Sequence, residues 1–194
     1  MLSTILATVL TLASFAPSAE AQSTTRIITQ YQGSGCTGSS ISCNQIRSGV
    51  CCGSNSRRFD STRLTGPTAR STDEVFIYLP SGGSSTCGTF TQFIRGSRCV
   101  GEGPGGASGT RWYDQSLARR DVAEQSEEEC QKPDELTFAD GVSLDLTGLS
   151  DAEEEELFAF VDAGGESGDL PNHFVKFVKQ MKPYQSHPSE EVRR

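Results

Sequence analysis

Ile46-Arg47-Ser48-Gly49-Val50-Cys51-Cys52-Gly53 has an echo 48 residues later in Ile94-Arg95-Gly96-Ser97-Arg98-Cys99-Val100-Gly101. Both copies read Ile-Arg, three residues, Cys, one residue, Gly. Each copy also follows a Cys-Gly element, Cys36-Thr37-Gly38 in the first and Cys87-Gly88 in the second. A repeated frame of this kind predicts a duplicated, disulfide-stapled unit. Around it, Arg26–Tyr31, Ile41–Ile46, Arg58–Leu64, Val75–Leu79, Thr89–Ile94 and Thr110–Tyr113 are short, β-branched or aromatic runs bounded by Gly/Ser turns. Strands this short at near-regular spacing predict a sandwich or small barrel. The repeat aligns Ile27–Tyr31 with Val75–Leu79, Asn44–Arg47 with Gln92–Arg95, and Arg58–Ser61 with Arg111–Asp114. A period of about 50 residues with four strands per unit suits a doubled Greek key. The expected fold is mainly β: a disulfide-stapled, two-repeat Greek-key β-sandwich followed by a small acidic α-helical segment.

The N-terminus reads as a leader. Ile5–Phe15 is an apolar run too short to span a bilayer, and Pro17 and the A-x-A site Ala19-Glu20-Ala21 follow it. Residues 1–21 are therefore expected to be a signal peptide, and the mature chain to be secreted, with no transmembrane segment. In an oxidising compartment the seven cysteines read as staples. Matching the repeats gives the simplest pairing, Cys36–Cys51 and Cys87–Cys99, with Cys43–Cys52 completing the first unit. Cys51 and Cys52 point to opposite faces of a strand and are too close to bridge each other. Cys130 is left over, and a homodimer through it is one expectation.

Net charge divides the chain. Residues 22–111 hold nine Arg, no Lys and four acidic residues, a net +5; residues 112–194 hold eight basic and twenty acidic residues, a net −12. Five segments are expected: 1–21 as leader, 22–118 as the disulfide-rich β domain, 119–133 as an acidic linker, 134–183 as a β-hairpin with two helices, and 184–194 as a disordered tail. The dibasic Arg119-Arg120 in the linker resembles a kexin-type processing site, and cutting there would release six of the seven cysteines. In the acidic segment, Asp140-Gly141 signals a type I′ hairpin. Ser150-Asp151-Ala152-Glu153 is a capping box opening a helix that buries Leu157, Phe158 and Val161. A second helix is expected around Pro171–Met181, with Lys176, Lys179 and Lys182 facing Glu153–Glu156. The opposite charges predict that the acidic segment masks the basic module until processing.

Chemistry is sparse. The β module has no histidine, since His173 and His187 both lie in the acidic segment, which argues against a Ser-His-Asp or Cys-His catalyst and a His-based metal site. Its carboxylates, Asp60, Asp73, Glu74, Glu102 and Asp114, mark no glycosidase pair. No catalytic residues, metal or cofactor are expected. The remaining signal is an Arg-only surface with aromatics. Arg47, Arg95, Arg98, Arg111 and Trp112 are the candidate binding residues, with Tyr31, Phe59 and Tyr113 beside them. Arg and aromatics together suit an anionic polymer, a glycan or a cell-surface component; no nucleic acid is expected.

Residues 25–116 resemble the small secreted cysteine-rich proteins of filamentous fungi and, more loosely, microbial βγ-crystallin-type proteins. The second likeness rests on Tyr31-x6-Gly38 and Phe76-x6-Gly83. The calcium motif of that superfamily is missing from both repeats. The resemblance implies a secreted interaction protein, since relatives of the fold include killer toxins, antifungal proteins and a metalloprotease inhibitor. The expected function is a non-enzymatic, toxin- or effector-like binding protein acting at another cell's surface through its basic module. A structural or cell-wall/glycan interaction protein is the first alternative, and a secreted hydrolase or protease inhibitor the second.

Overall fold

The computed structural model describes residues 24–54, 57–67, 69–81, 85–101, 106–115 and 130–179. The expected leader, the Arg119-Arg120 pair, Lys182 and the 184–194 tail lie outside the described residues. All six expected strands form. The first half holds β1 (Thr25–Gly33), β2 (Thr37–Arg47), β3 (Cys51–Gly53) and β4 (Ser61–Thr65). The second holds β5 (Glu74–Ser81), β6 (Ser85–Arg95), β7 (Val100–Gly101) and β8 (Gly109–Tyr113). Each half is built around an antiparallel hairpin, β1–β2 and β5–β6, whose first strand takes a third strand on its free side, β4 beside β1 and β8 beside β5.

The two short strands change sheets. β3, which follows the first hairpin, pairs with β8 of the second; β7, which follows the second hairpin, pairs with β4 of the first. The result is two facing sheets in which each half supplies a strand to the other. The disulfides follow this exchange. Cys36 bridges Cys99 and Cys51 bridges Cys87, while Cys43–Cys52 stays within the first half. The expected Cys36–Cys51 and Cys87–Cys99 bridges are thus corrected: matching cysteines of the two halves pair crosswise, because the strand after each hairpin lies on the other half's sheet. The crosswise bridges span 63 and 36 residues. Closing loops of that length stabilises by about 4 kcal/mol each in the chain-entropy model, more than the short loops of a within-repeat pairing would.

Alternation decides which side chains meet between the sheets. Ile28 from β1, Ile46 and Cys43 from β2, Leu64 from β4, Val75 from β5 and Trp112 from β8 form one buried cluster with Val50 and Cys52. The inward residues of the first strands are Arg26 and Ile28 in one half and Val75 and Ile77 in the other. The structural correspondence in that strand is therefore shifted by one residue from the sequence alignment. The Arg58–Ser61 match with Arg111–Asp114 also fails, since Arg58 precedes its strand whereas Arg111 lies within β8. Arg26 is fully buried, forms an ion pair with buried Asp73 at 2.8 Å, and lies 4.6 Å from the Trp112 ring centre. Trp112 Nε1 donates to the Ile46 carbonyl at 3.1 Å. One ion pair and one indole thus tie β1 and β2 to β8 and the start of β5. Close backbone approach fixes Gly109, where an added Cβ would meet the Thr86 carbonyl oxygen at 2.6 Å and the Cys87 sulfur at 2.7 Å as the start of β6 approaches β8.

The acidic segment is part of this fold. β9 (Cys130–Gln131) runs parallel to β3 and extends the second sheet. β10 (Glu135–Thr137) pairs with β2, β11 (Ser143–Asp145) with β10, and β12 (Val178–Lys179) with β11, so the first sheet reads β12-β11-β10-β2-β1-β4-β7. Helix α1 (Asp151–Asp162) opens on the expected capping box, with Ser150 accepting from the Glu153 amide, and buries Leu157, Phe158 and Val161. These join Leu136, Phe138, Leu144 and Phe174 around Ile41 and Phe59 of the β module, a second apolar core spanning the charge boundary. Arg57 adds an ion pair to Asp162 and lies 4.4 Å from the Phe158 ring. Burial lowers the Arg57 pKa, and Asp162 opposes that shift.

Three local expectations are corrected. The hairpin turn at Asp140-Gly141 has a positive φ only at Gly141 and closes with Gly141 N donating to the Phe138 carbonyl, which excludes type I′. The positive-φ pair is in the first hairpin instead, at Gly35 and Cys36. The expected second helix is a 3-10 turn, Asn172–Phe177, running into β12. Lys179 turns to Glu135 and Asp145 of the β10–β11 hairpin, and α1 draws Lys132 instead, through Asp151 and Glu154.

Non-reducing trypsin digestion should yield a single assembly joining peptides 27–47, 48–57, 71–95 and 99–111, because the three bridges link all four; a within-repeat pairing would yield two separate peptide pairs. Asp73→Ala should cost about 3–5 kcal/mol in denaturant unfolding by stranding a buried guanidinium, and Arg26→Met/Asp73→Leu should recover most of it. A chain ending at Arg120 should bind a hydrophobic dye and unfold at lower denaturant than the full chain, because it bares Ile41 and Phe59; each such side chain loses about 1.5–3 kcal/mol of burial.

Candidate functional site: an aromatic outer face

The outer face of the second sheet is built by a one-residue irregularity. In β6, Phe90 and Phe93 are three apart and in a regular strand would face opposite ways. The register with β5 runs Phe76↔Phe93, Ile77↔Gln92, then Tyr78↔Phe90, leaving Thr91 unpaired as a bulge. The bulge resets the alternation, so both phenylalanines point outward with Phe76 and Tyr78. The Thr91 hydroxyl donates to the Ile77 carbonyl at 2.9 Å, satisfying an acceptor at the interruption.

The rings form a contiguous array. Phe76 lies 5.7 Å from both Phe90 and Phe93, centre to centre, and 5.1 Å from Tyr113, which it meets edge to face; Tyr78 lies 6.2 Å from Phe90. Phe90 and Phe93 remain 49% and 51% exposed. Charge on this face is balanced. Arg95 at the end of β6 donates twice to Glu74 Oε1 at 3.0 Å, and Gln115 donates to the same oxygen. Arg111 lies with its guanidinium 5.7 Å from the Tyr78 ring centre.

The residues expected to form a binding surface are dispersed. Trp112 is fully buried and Arg111 only 8% exposed, so both leave the list of surface residues: the indole faces the inter-sheet core, and Arg111 is covered by its neighbours on the sheet. Phe59 is buried as well. Arg47 and Arg98 are exposed, and Arg95 is exposed but paired. Arg47 and Arg95 end the second strands of the two hairpins, on different sheets. Cys130 carries an exposed free thiol on β9, at the opposite edge of the second sheet from β6. Among the described residues no cluster of three His, Cys, Asp or Glu is arranged as a metal site, and no helix is long and apolar enough to cross a membrane. The aromatic face was readable only in part. Phe90-Thr91-Gln92-Phe93 breaks period two, and that break is the trace of the bulge.

Residues 27–134, more than half of the chain, match the ARB_05566_N family, described as an N-terminal domain. The match takes in both hairpins, both exchanged strands and all seven cysteines, and stops before β10. No match was found among curated proteins, and none among solved structures. By this domain the chain belongs to the ARB_05566_N family.

Proposed function

We propose that this is a secreted, non-enzymatic binding protein, built on a doubled Greek key, that engages another cell's surface through the outer face of its second sheet. The observation carrying this reading is the pair Phe90 and Phe93, half exposed at the centre of a ring array on a disulfide-stapled sheet. Large apolar side chains grouped in the open on a folded surface mark interaction sites. Support for the doubled Greek key lies in strand order. In each half the fourth strand returns beside the first, which pairs the second, while the third crosses to the other sheet.

The chemistry of the remaining side chains favours binding over hydrolysis. Asp73 is committed to Arg26, Glu74 to Arg95 and Gln115, and Asp114 is buried. A basic grip on an anionic partner is the weaker reading, because Arg26, Arg57 and Arg111 are buried and Arg95 is neutralised. The described residues of the acidic segment add β10–β12 to the first sheet, β9 to the far edge of the second, and a core shared with Ile41 and Phe59, so in this proposal the segment completes the scaffold and does not mask the site. A homodimer through Cys130 is compatible with it, since β9 and β6 lie at opposite edges.

The test compares binding of the labelled full chain to intact cells and isolated cell walls with that of two variants. Phe90→Ala/Phe93→Ala should lose binding at least tenfold while unfolding within about 1 kcal/mol of wild type, as expected for exposed positions. Arg47→Glu/Arg98→Glu should bind as wild type does. Loss in the arginine variant with full binding by the aromatic one would transfer the function to the basic surface.

A further inference from the structure

The same face narrows the chemistry of its partner. We infer that the aromatic array takes a neutral polysaccharide chain, whose sugar rings stack on Phe76, Phe90 and Phe93. This inference rests on the proposed role of the face and adds the class of ligand to it.

Charge is the first argument. Arg95 donates twice to Glu74 Oε1, and Arg111 is nearly enclosed and lies over Tyr78. An anionic polymer or a lipid headgroup layer would need free cations at the rim, and the two that flank the rings are engaged. The complementary partner is therefore uncharged.

Polarity is the second. Beside the rings stand Thr91, exposed at the bulge on β6, and the amide side chain of Gln115, held on Glu74. A partner that offers apolar C–H faces to the rings and hydroxyls to the rim fits both features, and a pyranose offers both. Phe90 and Phe93 each lie 5.7 Å from Phe76, inclined to it by 48° and 22°, and the two exposed rings offer apolar surface to the C–H face of a sugar.

Edge geometry is the third, and it separates a glycan from a protein. β6 is the edge strand of its sheet, so an added β-strand or a second copy is the obvious competitor. The Thr91 bulge interrupts the unpaired edge midway, and bulges are among the devices by which edge strands resist further pairing. What the bulge spoils along the edge it supplies on the face, by turning Phe90 outward beside Phe93.

The experiment is sedimentation of the full secreted chain with insoluble cellulose, β-1,3-glucan and chitin, alongside polygalacturonate gel and vesicles containing about one third anionic lipid. Retention on at least one neutral polysaccharide is expected, unchanged at about 1 M salt where the Debye length is about 3 Å. Phe90→Ala/Phe93→Ala should lower it tenfold or more, and Phe90→Trp/Phe93→Trp should restore or exceed it. Binding only to polygalacturonate or anionic vesicles, abolished by salt, overturns the neutral-glycan inference. So does a concentration-dependent dimer that Phe90→Ala/Phe93→Ala abolishes. If the aromatic variant loses binding to isolated cell walls while no neutral polysaccharide retains the wild type, the ligand class is wrong and the face reading stands. If the aromatic variant binds polysaccharide and walls as the wild type does, both readings fall.

Discussion

The exchange of two short strands between the hairpins is the constraint on which the rest of this fold depends. β3 has three residues and β7 two, too short to hold a place by backbone pairing alone. Each is fixed covalently instead. Cys51, in β3, is tied to Cys87 near the start of β6, and Cys99, just before β7, to Cys36 in the turn of the first hairpin. If the two halves are superposed in the mind by their Ile-Arg frames, one crosswise bridge maps onto the other. The halves therefore cannot fold as separate beads: each needs the other's short strand to complete its sheet, and each bridge closes only once both hairpins are in place. That interdependence turns two small hairpin units into one core around Ile28, Ile46, Leu64, Val75 and Trp112.

The buried Arg26–Asp73 pair is understandable in the same terms. A charge taken out of water is costly unless it is paired and packed. Here the guanidinium has a carboxylate on one side and the Trp112 ring on the other, and Asp73 also accepts from the Arg70 amide at 2.9 Å. An apolar pair would fill the space with no less stability. What ions add is geometry, because Asp73 immediately precedes β5 and can reach Arg26 only when the second hairpin docks in one register on the first. Crosswise bridges and a buried ion pair thus state the same condition twice.

Much of the fold was legible in sequence, and the failures are instructive. The six longer strands announced themselves by β-branched and aromatic runs between Gly/Ser turns, and Ser150 to Glu153 announced the helix start. Strand exchange left no such mark. Repeat logic paired each cysteine within its own unit because sequence distance was the only distance to hand. The charge split hid a related fact: the +5 and −12 halves read as separate segments, yet Leu136, Leu144, Leu157 and Phe174 meet Ile41 and Phe59, about a hundred residues away, in one core. Trp112 read as an exposed aromatic beside Arg111, but alternation along β8 places its neighbours Arg111 and Tyr113 on one face and the indole on the other.

The candidate site was hidden by the feature that creates it. A sequence reading that assumes strict alternation puts Phe90 and Phe93 on opposite faces, one in the core and one in solvent, and sees no patch. The bulge at Thr91 puts both outside, at a position where a regular strand would have gained burial for one ring. A chain with so few aromatics and a core shared by two small hairpins forgoes that burial while spending a hydroxyl to satisfy the interrupted ladder. Local departures from the most stabilising arrangement concentrate where a surface has something to bind. Here the departure and the exposed rings coincide on one strand, at the edge of its sheet opposite β9.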